Sequence, residues 1–300
     1  MKAGPDYALV IHGGAGPKPG RDYSEVERHL SDLIAKGETL LKSGASAVDT
    51  VEEMVWELER SGLYVAGRGS APNAAGFVET DAAIMDGAAM KAGSIAAVRD
   101  LKSPISGARA VMDKSPHVML AGEGADRFCA ELSLPLVTHP AAWYRLPVGV
   151  EAAETLTDEL THGTVGAVAL DQGGRLAAAT STGGLFGKRA GRIGDTPIIG
   201  SGTWADGNVA ISCTGLGEYF ILSNAAHDVA AQMTYAGIPL TEAAECTLEK
   251  VAALGGDGGL IAIDQRGNIV TRYNSDGLKC AAVKAGSASV VSIFAPLKHP

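Results

Sequence analysis

Three things are scarce in this sequence, and each scarcity removes a class of protein. Cysteine is the first: Cys129, Cys213, Cys246 and Cys280 stand far apart, and no C-x-x-C occurs. Reduced core thiols in a cytosolic protein are the plain reading, with no disulfide framework. Long apolar runs are the second, for none is long enough to cross a membrane as a helix. Positive charge is the third. Twenty-five Lys and Arg stand against 34 Asp and Glu, a net charge of −9. Nucleic acid and anionic membranes both call for a concentrated cationic face, so neither is expected as a partner. The stretch Met1 to Tyr7 lacks the apolar core of a secretory signal, which points to a cytoplasmic protein.

Familiar catalytic signatures are missing too. There is no H-E-x-x-H, G-x-S-x-G or paired C-x-x-C, which sets aside zincins, elbow-type serine hydrolases and zinc ribbons. His12-Gly13-Gly14-Ala15-Gly16-Pro17 leaves a short apolar strand, but it fits neither a dinucleotide loop nor a phosphate loop. It reads as a tight turn, with a backbone anion site as the other possibility.

What the chain does have is small apolar strands and glycine. Hydrophobic residues make up 46%, enough for a sizeable core, and glycine is 39 of 300, nearly twice the usual share of about 7%. The centre of interest is Thr161-His162-Gly163-Thr164-Val165-Gly166-Ala167-Val168-Ala169-Leu170-Asp171, where a polar, acidic approach ends abruptly at an unbroken apolar run. The run turns at Gln172-Gly173-Gly174 and returns to Thr182. Such a run, without alternation, suits a strand covered on both faces.

Thr164 thus stands at the mouth of a buried strand, behind a glycine. A threonine hydroxyl needs a base, and an α-amino group, with a pKa of about 7.7–8.0, supplies one near working pH. Scission between Gly163 and Thr164 would place amine and hydroxyl on one residue. Gly163 is expected to reach the strained backbone that brings the Thr164 oxygen onto its carbonyl. Taken alone, Gly-Thr before a strand is also a common structural junction.

Around this hairpin the pattern alternates helices with buried strands. Val26, Leu30, Leu33, Ile34, Leu40 and Leu41 stripe one helix, and Val48, Val51, Met54, Val55 and Leu58 a second. Residues 77–87 with 93–98 read as a hairpin, in which Asp81 and Asp86 are carboxylates better explained by a turn and a strand end than by catalysis. Ser103-Pro104 reads as an N-cap with proline at the first helical position. A short helix is expected around Ala125 to Leu132, and 141–162 as a mobile linker that lets cut ends separate. Arg192 and Asp195, in the glycine-laden loop 183–195, suit the zwitterionic end of an amino acid, or else pair with each other in solvent. A helix is expected from about Tyr219 to Tyr235, and another capped by Thr241 and stopped by Gly255-Gly256. The hairpin 260–271 echoes 165–182 in its apolar run, Asp, Gly turn and returning strand. His29 and His227 fall within helices and read as ordinary helical residues. Helices flanking two runs of buried strands suggest an α+β protein with helices outside two packed sheets.

Six stretches together carry a resemblance: His12 to Gly16, Asp81 to Gly87, His162 to Val168, Ala179 to Gly184, Gly191 to Asp195 and Cys213 to Glu218. In that order they resemble the plant-type asparaginase/isoaspartyl aminopeptidase family of N-terminal-nucleophile hydrolases. The resemblance implies a four-layer αββα sandwich, self-cleavage into an α chain 1–163 and a β chain 164–300, and a homodimer of αβ units. It implies Thr164 as nucleophile, Thr182 orienting it, and Thr214 with Gly215 lining an oxyanion site. Arg192 would bind the substrate α-carboxylate, and Asp195 with Gly217 its α-amine. The implied substrates are L-asparagine and β-aspartyl dipeptides, with no required cofactor. A structural sodium ion on backbone carbonyls of Leu58, Glu59, Ser61, Tyr64, Ala66 and Arg68 is implied as well. One departure stands out: where many members read Phe-Asn-Ala-Gly, this chain reads Tyr64-Val65-Ala66-Gly67. A glycosylasparaginase and an unprocessed amino-acid-binding protein are the alternative readings.

Overall fold

The structure, a computed structural model, describes residues 7–151 and 163–297. Small apolar side chains let strands pack between layers. Strands β1 (Ala8–Ala15), β5 (Val165–Leu170) and β6 (Leu176–Thr182) are buried at every residue. They lie at the middle of a sheet completed by β2 (Thr80–Asp86), β3 (Lys91–Val98), β4 (Met119–Ala121), β11 (Leu278–Lys284) and β12 (Val290–Ser292). Among the described residues its order is β12-β11-β1-β5-β6-β2-β3-β4. Every pairing is antiparallel except β3 with β4.

A second sheet, ordered β10-β9-β8-β7, consists of β7 (Thr203–Ala205), β8 (Val209–Gly215), β9 (Gly258–Asp264) and β10 (Ile269–Tyr273). Val10, Val168 and Ala178 of the first sheet meet Ala210, Ile261 and Ile263 of the second, forming the inner core. Leu9, Ile11, Val165 and Ala179 face the other way, onto helices α1 (Ser24–Lys42), α2 (Ala47–Ser61) and α3 (Pro104–Lys114). The second sheet's outer face carries α6 (Gly217–Ser223), α7 (Ala225–Ala236) and α8 (Leu240–Ala253) through Ile211, Cys213, Phe220 and Val229. Helix, sheet, sheet, helix: the α+β architecture with four layers is present as expected. Two short helices, α4 (Gly122–Glu131) and α5 (Pro140–Trp143), complete the α-helices among the described residues. Among the described residues no helix is long and apolar enough to cross a membrane, and all four cysteines are free thiols.

The two echoing hairpins share one turn chemistry. Asp171 Oδ1 accepts from the N–H groups of Gly173 and Arg175, and Asp264 Oδ1 from those of Arg266 and Asn268. Asp171 goes further, for its Oδ2 accepts from Ala47 N at the start of α2. Asp86 likewise closes a turn by accepting from Ala88 N and Ala89 N, and Asp81 Oδ1 accepts from Ala97 N at a bulge.

Several expectations need correction. The helix over 219–235 breaks at Asn224, which adopts a left-handed φ of 49°; asparagine tolerates that conformation better than most residues. Thr241 lies inside α8, whose N-cap is Pro239. Ser103 holds the N-cap position of α3 with Pro104 in its first turn, as expected, but its side chain makes no capping hydrogen bond. Its hydroxyl donates instead to Glu59 Oε2 (2.6 Å), while Glu59 Oε1 accepts from Ile105 N (2.9 Å), so a carboxylate from α2 caps α3. Within 141–151, Arg145 N donates to Arg68 O and Val148 N to Leu63 O. The rest of the expected linker, 152–162, lies outside the described residues.

Burial pushes the fully enclosed Glu59 carboxyl up to about 7, from an ordinary value near 4.5. The folded state therefore binds a proton more tightly than the unfolded chain. Stability from this group is complete below about pH 4.5 and is lost as pH rises through about 7. Glu59→Gln, which is neutral throughout, should flatten that decline by about 3 kcal/mol, read as the difference between the two proteins in urea unfolding at pH 4.5 and pH 8.

Candidate active site

The start of β5 and the end of β6 lie side by side, with Val165 opposite Ser181. This brings Thr164, Thr182 and the Gly163 carbonyl together in a buried corner. Thr164 Oγ1 donates to Thr182 Oγ1 at 3.1 Å, and Thr182 Oγ1 donates to Gly163 O at 2.9 Å. Thr182 Oγ1 also accepts from Gly184 N at 2.9 Å. One hydroxyl thus receives the Thr164 proton and points its own at the Gly163 carbonyl.

The glycines here act through close approach. A Cβ on Gly163 would lie 2.7 Å from Val65 Cγ2. Val65 packs on this glycine beside Ala71 and Phe186, and its carbonyl accepts from Gly183 N. Gly14, at φ +98°, lets the β1 backbone pass Thr164, where a Cβ would lie 3.1 Å from both N and O of that residue.

The next residue joins Thr214 to the corner: Ala15 N donates to the buried Thr214 Oγ1 at 3.2 Å. Gly215 follows at the end of β8, packed against Asp257 O and the Phe220 ring. Behind Thr164 runs a polar seam between the sheets. His12 Nε2 and Ser212 Oγ are 2.9 Å apart, Ser212 Oγ and Thr180 Oγ1 2.8 Å, and Thr203 Oγ1 donates to Thr180 Oγ1 at 2.7 Å. Burial keeps the His12 imidazole neutral, its pKa brought down to about 3 against a backbone contact with Thr164 that works the other way.

The charged end of the site is built from loop 183–195 and the start of α6. A Cβ on Gly217 would lie 2.8 Å from Asp195 N and Oδ1, so these two expected residues do meet. Asp195 is buried, its Oδ2 has no hydrogen-bond partner, and burial raises its carboxyl to about 6. Arg192 does not pair with Asp195. Its Nε and Nη2 donate to Glu218 Oε1 and Oε2, at 2.8 and 2.7 Å.

The stretch from Leu58 to Arg68 winds around its own carbonyls. Gly67, at φ +52°, would bring a Cβ within 2.6 Å of Glu59 O. The carbonyls of Leu58, Tyr64, Ala66 and Arg68 accept from Ser61 Oγ, Ala66 N, Gly69 N and Arg145 N.

Two hydroxyls and a carbonyl are joined at the mouth of a buried strand, in a chain that has known counterparts. A family model described as asparaginase matches residues 5–293. The chain belongs to the asparaginase family. It is 42% identical over 306 residues to an isoaspartyl peptidase of Salmonella typhimurium, covering 95% of this chain and 98% of that protein. It is 41% identical over 292 residues to an isoaspartyl peptidase/L-asparaginase of Rattus norvegicus, covering 93% and 86%. A probable isoaspartyl peptidase/L-asparaginase 2 of Arabidopsis thaliana is 37% identical over 306 residues, covering 91% and 94%.

Sequence reasoning missed the His12–Ser212–Thr180–Thr203 seam and the Glu218 partner of Arg192. A signal for the seam did exist. Thr180 with Thr182, and Ser212 with Thr214, recur at a spacing of two on strands otherwise small and apolar, which puts each pair on one face. Thr182→Val should leave an asparaginase-family fold of nearly unchanged melting temperature while slowing scission at Gly163 by at least about 100-fold, the usual cost of one lost oxyanion donor. Denaturing mass spectrometry of timed samples measures it.

Proposed function

We propose that this chain is a self-processed threonine hydrolase acting on the side-chain amide of L-asparagine and on β-aspartyl (isoaspartyl) dipeptides. The observation that carries the reading is the Thr164–Thr182–Gly163 hydrogen-bond relay. In the first reaction Thr164 Oγ1 attacks the Gly163 carbonyl carbon, giving up its proton toward Thr182. Thr182, receiving that proton, passes its own to the developing oxyanion; as the carbonyl re-forms this proton moves to nitrogen, the Gly163–Thr164 C–N bond breaks, and the nitrogen leaves as the new α-amine. Water then hydrolyses the ester, leaving chains 1–163 and 164–300.

The second reaction reuses the same parts. The α-amine of Thr164 serves as the base for its own hydroxyl. The hydroxyl attacks the β-carbonyl of the substrate, Thr214 and the Gly215 region receive the oxyanion, and ammonia or an amino acid leaves. Water attacks the acyl ester and releases aspartate. Arg192 receives the α-carboxylate, and Asp195 with Gly217 the α-ammonium, a role for which the unpartnered Asp195 Oδ2 is suited. Both substrates share that zwitterionic head, so one pocket serves both. The names of the relatives from Salmonella typhimurium and Rattus norvegicus agree with this substrate class. We also assign a structural sodium ion to the carbonyls of Leu58, Glu59, Ser61, Tyr64, Ala66 and Arg68. Each carbonyl has a second lone pair, and neutral oxygens suit a hard cation. Bound there, the ion would hold the loop that carries Val65 against Gly163.

Thr164→Ala should abolish both scission and asparagine turnover. A variant that still appears as two fragments, or still releases ammonia, would refute the assignment. Arg192→Ala should act mainly on KM, raising it by the equivalent of about 1.5–3 kcal/mol for a lost charge-assisted pair; steady-state kinetics with asparagine decides.

A further inference from the structure

Arg192 already holds a carboxylate of the protein. Two parallel hydrogen bonds join it to Glu218, the geometry a guanidinium offers any carboxylate, a ligand's included. The flank that carries Nε and Nη2 is therefore engaged, while Nη1 lies over Gly194. The two partners differ in freedom. The Arg192 side chain is 15% exposed and the Glu218 side chain 53%, so Glu218 is the one that can move.

Where Glu218 can go is set by its neighbours. It stands in the first turn of α6, directly after Gly217, and Gly217 packs on Asp195. Asp195 already feels the negative charge of Glu218, and its Oδ2 has no hydrogen-bond partner. A carboxylate that leaves Arg192 at this point stays beside a second carboxylate, and a cation is what that place then calls for.

We propose that Glu218 is a specificity-determining residue: a ligand carboxylate displaces it from Arg192, and it then joins Asp195 around the ligand's ammonium. The inference rests on the hydrolase reading above. An α-amino acid head satisfies both halves of the broken pair, Arg192 through its carboxylate and Glu218 through its amine. A ligand with the carboxylate but no amine satisfies Arg192 alone and strands Glu218 beside Asp195. Discrimination then comes from a cost placed on the wrong ligand.

The test compares L-asparagine with succinamic acid, which keeps the carboxylate and the amide but lacks the α-amine. Both are assayed on the purified protein and on Glu218→Gln, which keeps the shape and removes the charge. In the variant, KM for succinamic acid should fall about twofold to fivefold, the scale of a partly exposed ion pair, while KM for asparagine does not fall. A change by the same factor for both ligands, or no change in either, overturns the proposal, because Glu218 would then brace or block Arg192 without regard to the amine. Calorimetric titration with L-aspartate and succinate reads the same ratio without turnover. Binding with the expected ratio by a protein that hydrolyses neither amide would sink the hydrolase reading and leave this one standing. Failure to bind either acid would sink both.

Discussion

Much of this structure depends on one hydroxyl. Thr182 accepts from the Thr164 hydroxyl and from Gly184 N and donates to the Gly163 carbonyl. Its single proton is directed by the two donors that it must accept from, which leaves only the carbonyl to receive it. That constraint needs the mouth of β5 and the end of β6 held in fixed register. The fold supplies it with a tight turn at the far end of the hairpin, where Asp171 holds the turn and also the N-terminus of α2. Position at one end of the hairpin is thus secured from the other.

Charge in the site is arranged by depth. Buried Asp195 is pushed toward its neutral form by desolvation, and buried Lys188 donates to the Glu79 carbonyl with its pKa lowered by the same cause. Arg192 stands nearer the surface with a partner in hand. A site organised this way keeps its deep charges few and held by backbone, where an unpaired ion costs most.

The frame of the molecule was legible because its signals are local. Unbroken apolar runs marked β5, β6, β8 and β9, and the Asp and Gly of the two hairpin turns marked their returns. Thr164 showed itself through the sharp change from polar to apolar sequence. What escaped was either nonlocal or conformational. Glu59 caps a helix through Ile105 N, 46 positions away, and Arg192 prefers Glu218, 26 positions away, to Asp195 three residues on. Proximity in sequence favoured the wrong partner. The break at Asn224 carries no Gly or Pro to announce it, and the bonds from Arg145 N and Val148 N to the 62–68 loop join backbone atoms that no side-chain pattern marks. Thr182 and Thr214 drew their expected roles from family likeness, and the geometry puts both beside Thr164 or one strand away.

The polar seam inside the sandwich has a structural consequence of its own. Sheets that meet through alanine, valine and isoleucine slide easily, since one small apolar contact replaces another. Here His12, Thr180 and Ser212 come from three strands in two sheets and are joined by hydrogen bonds. Shifting β8 by one residue would bring Ile211 or Cys213 into the place of Ser212 and take the hydrogen-bond partner from the buried His12 Nε2, at about 1–3 kcal/mol. The seam works as a dowel between two smooth plates: it contributes little to how firmly they adhere and nearly everything to where they stop.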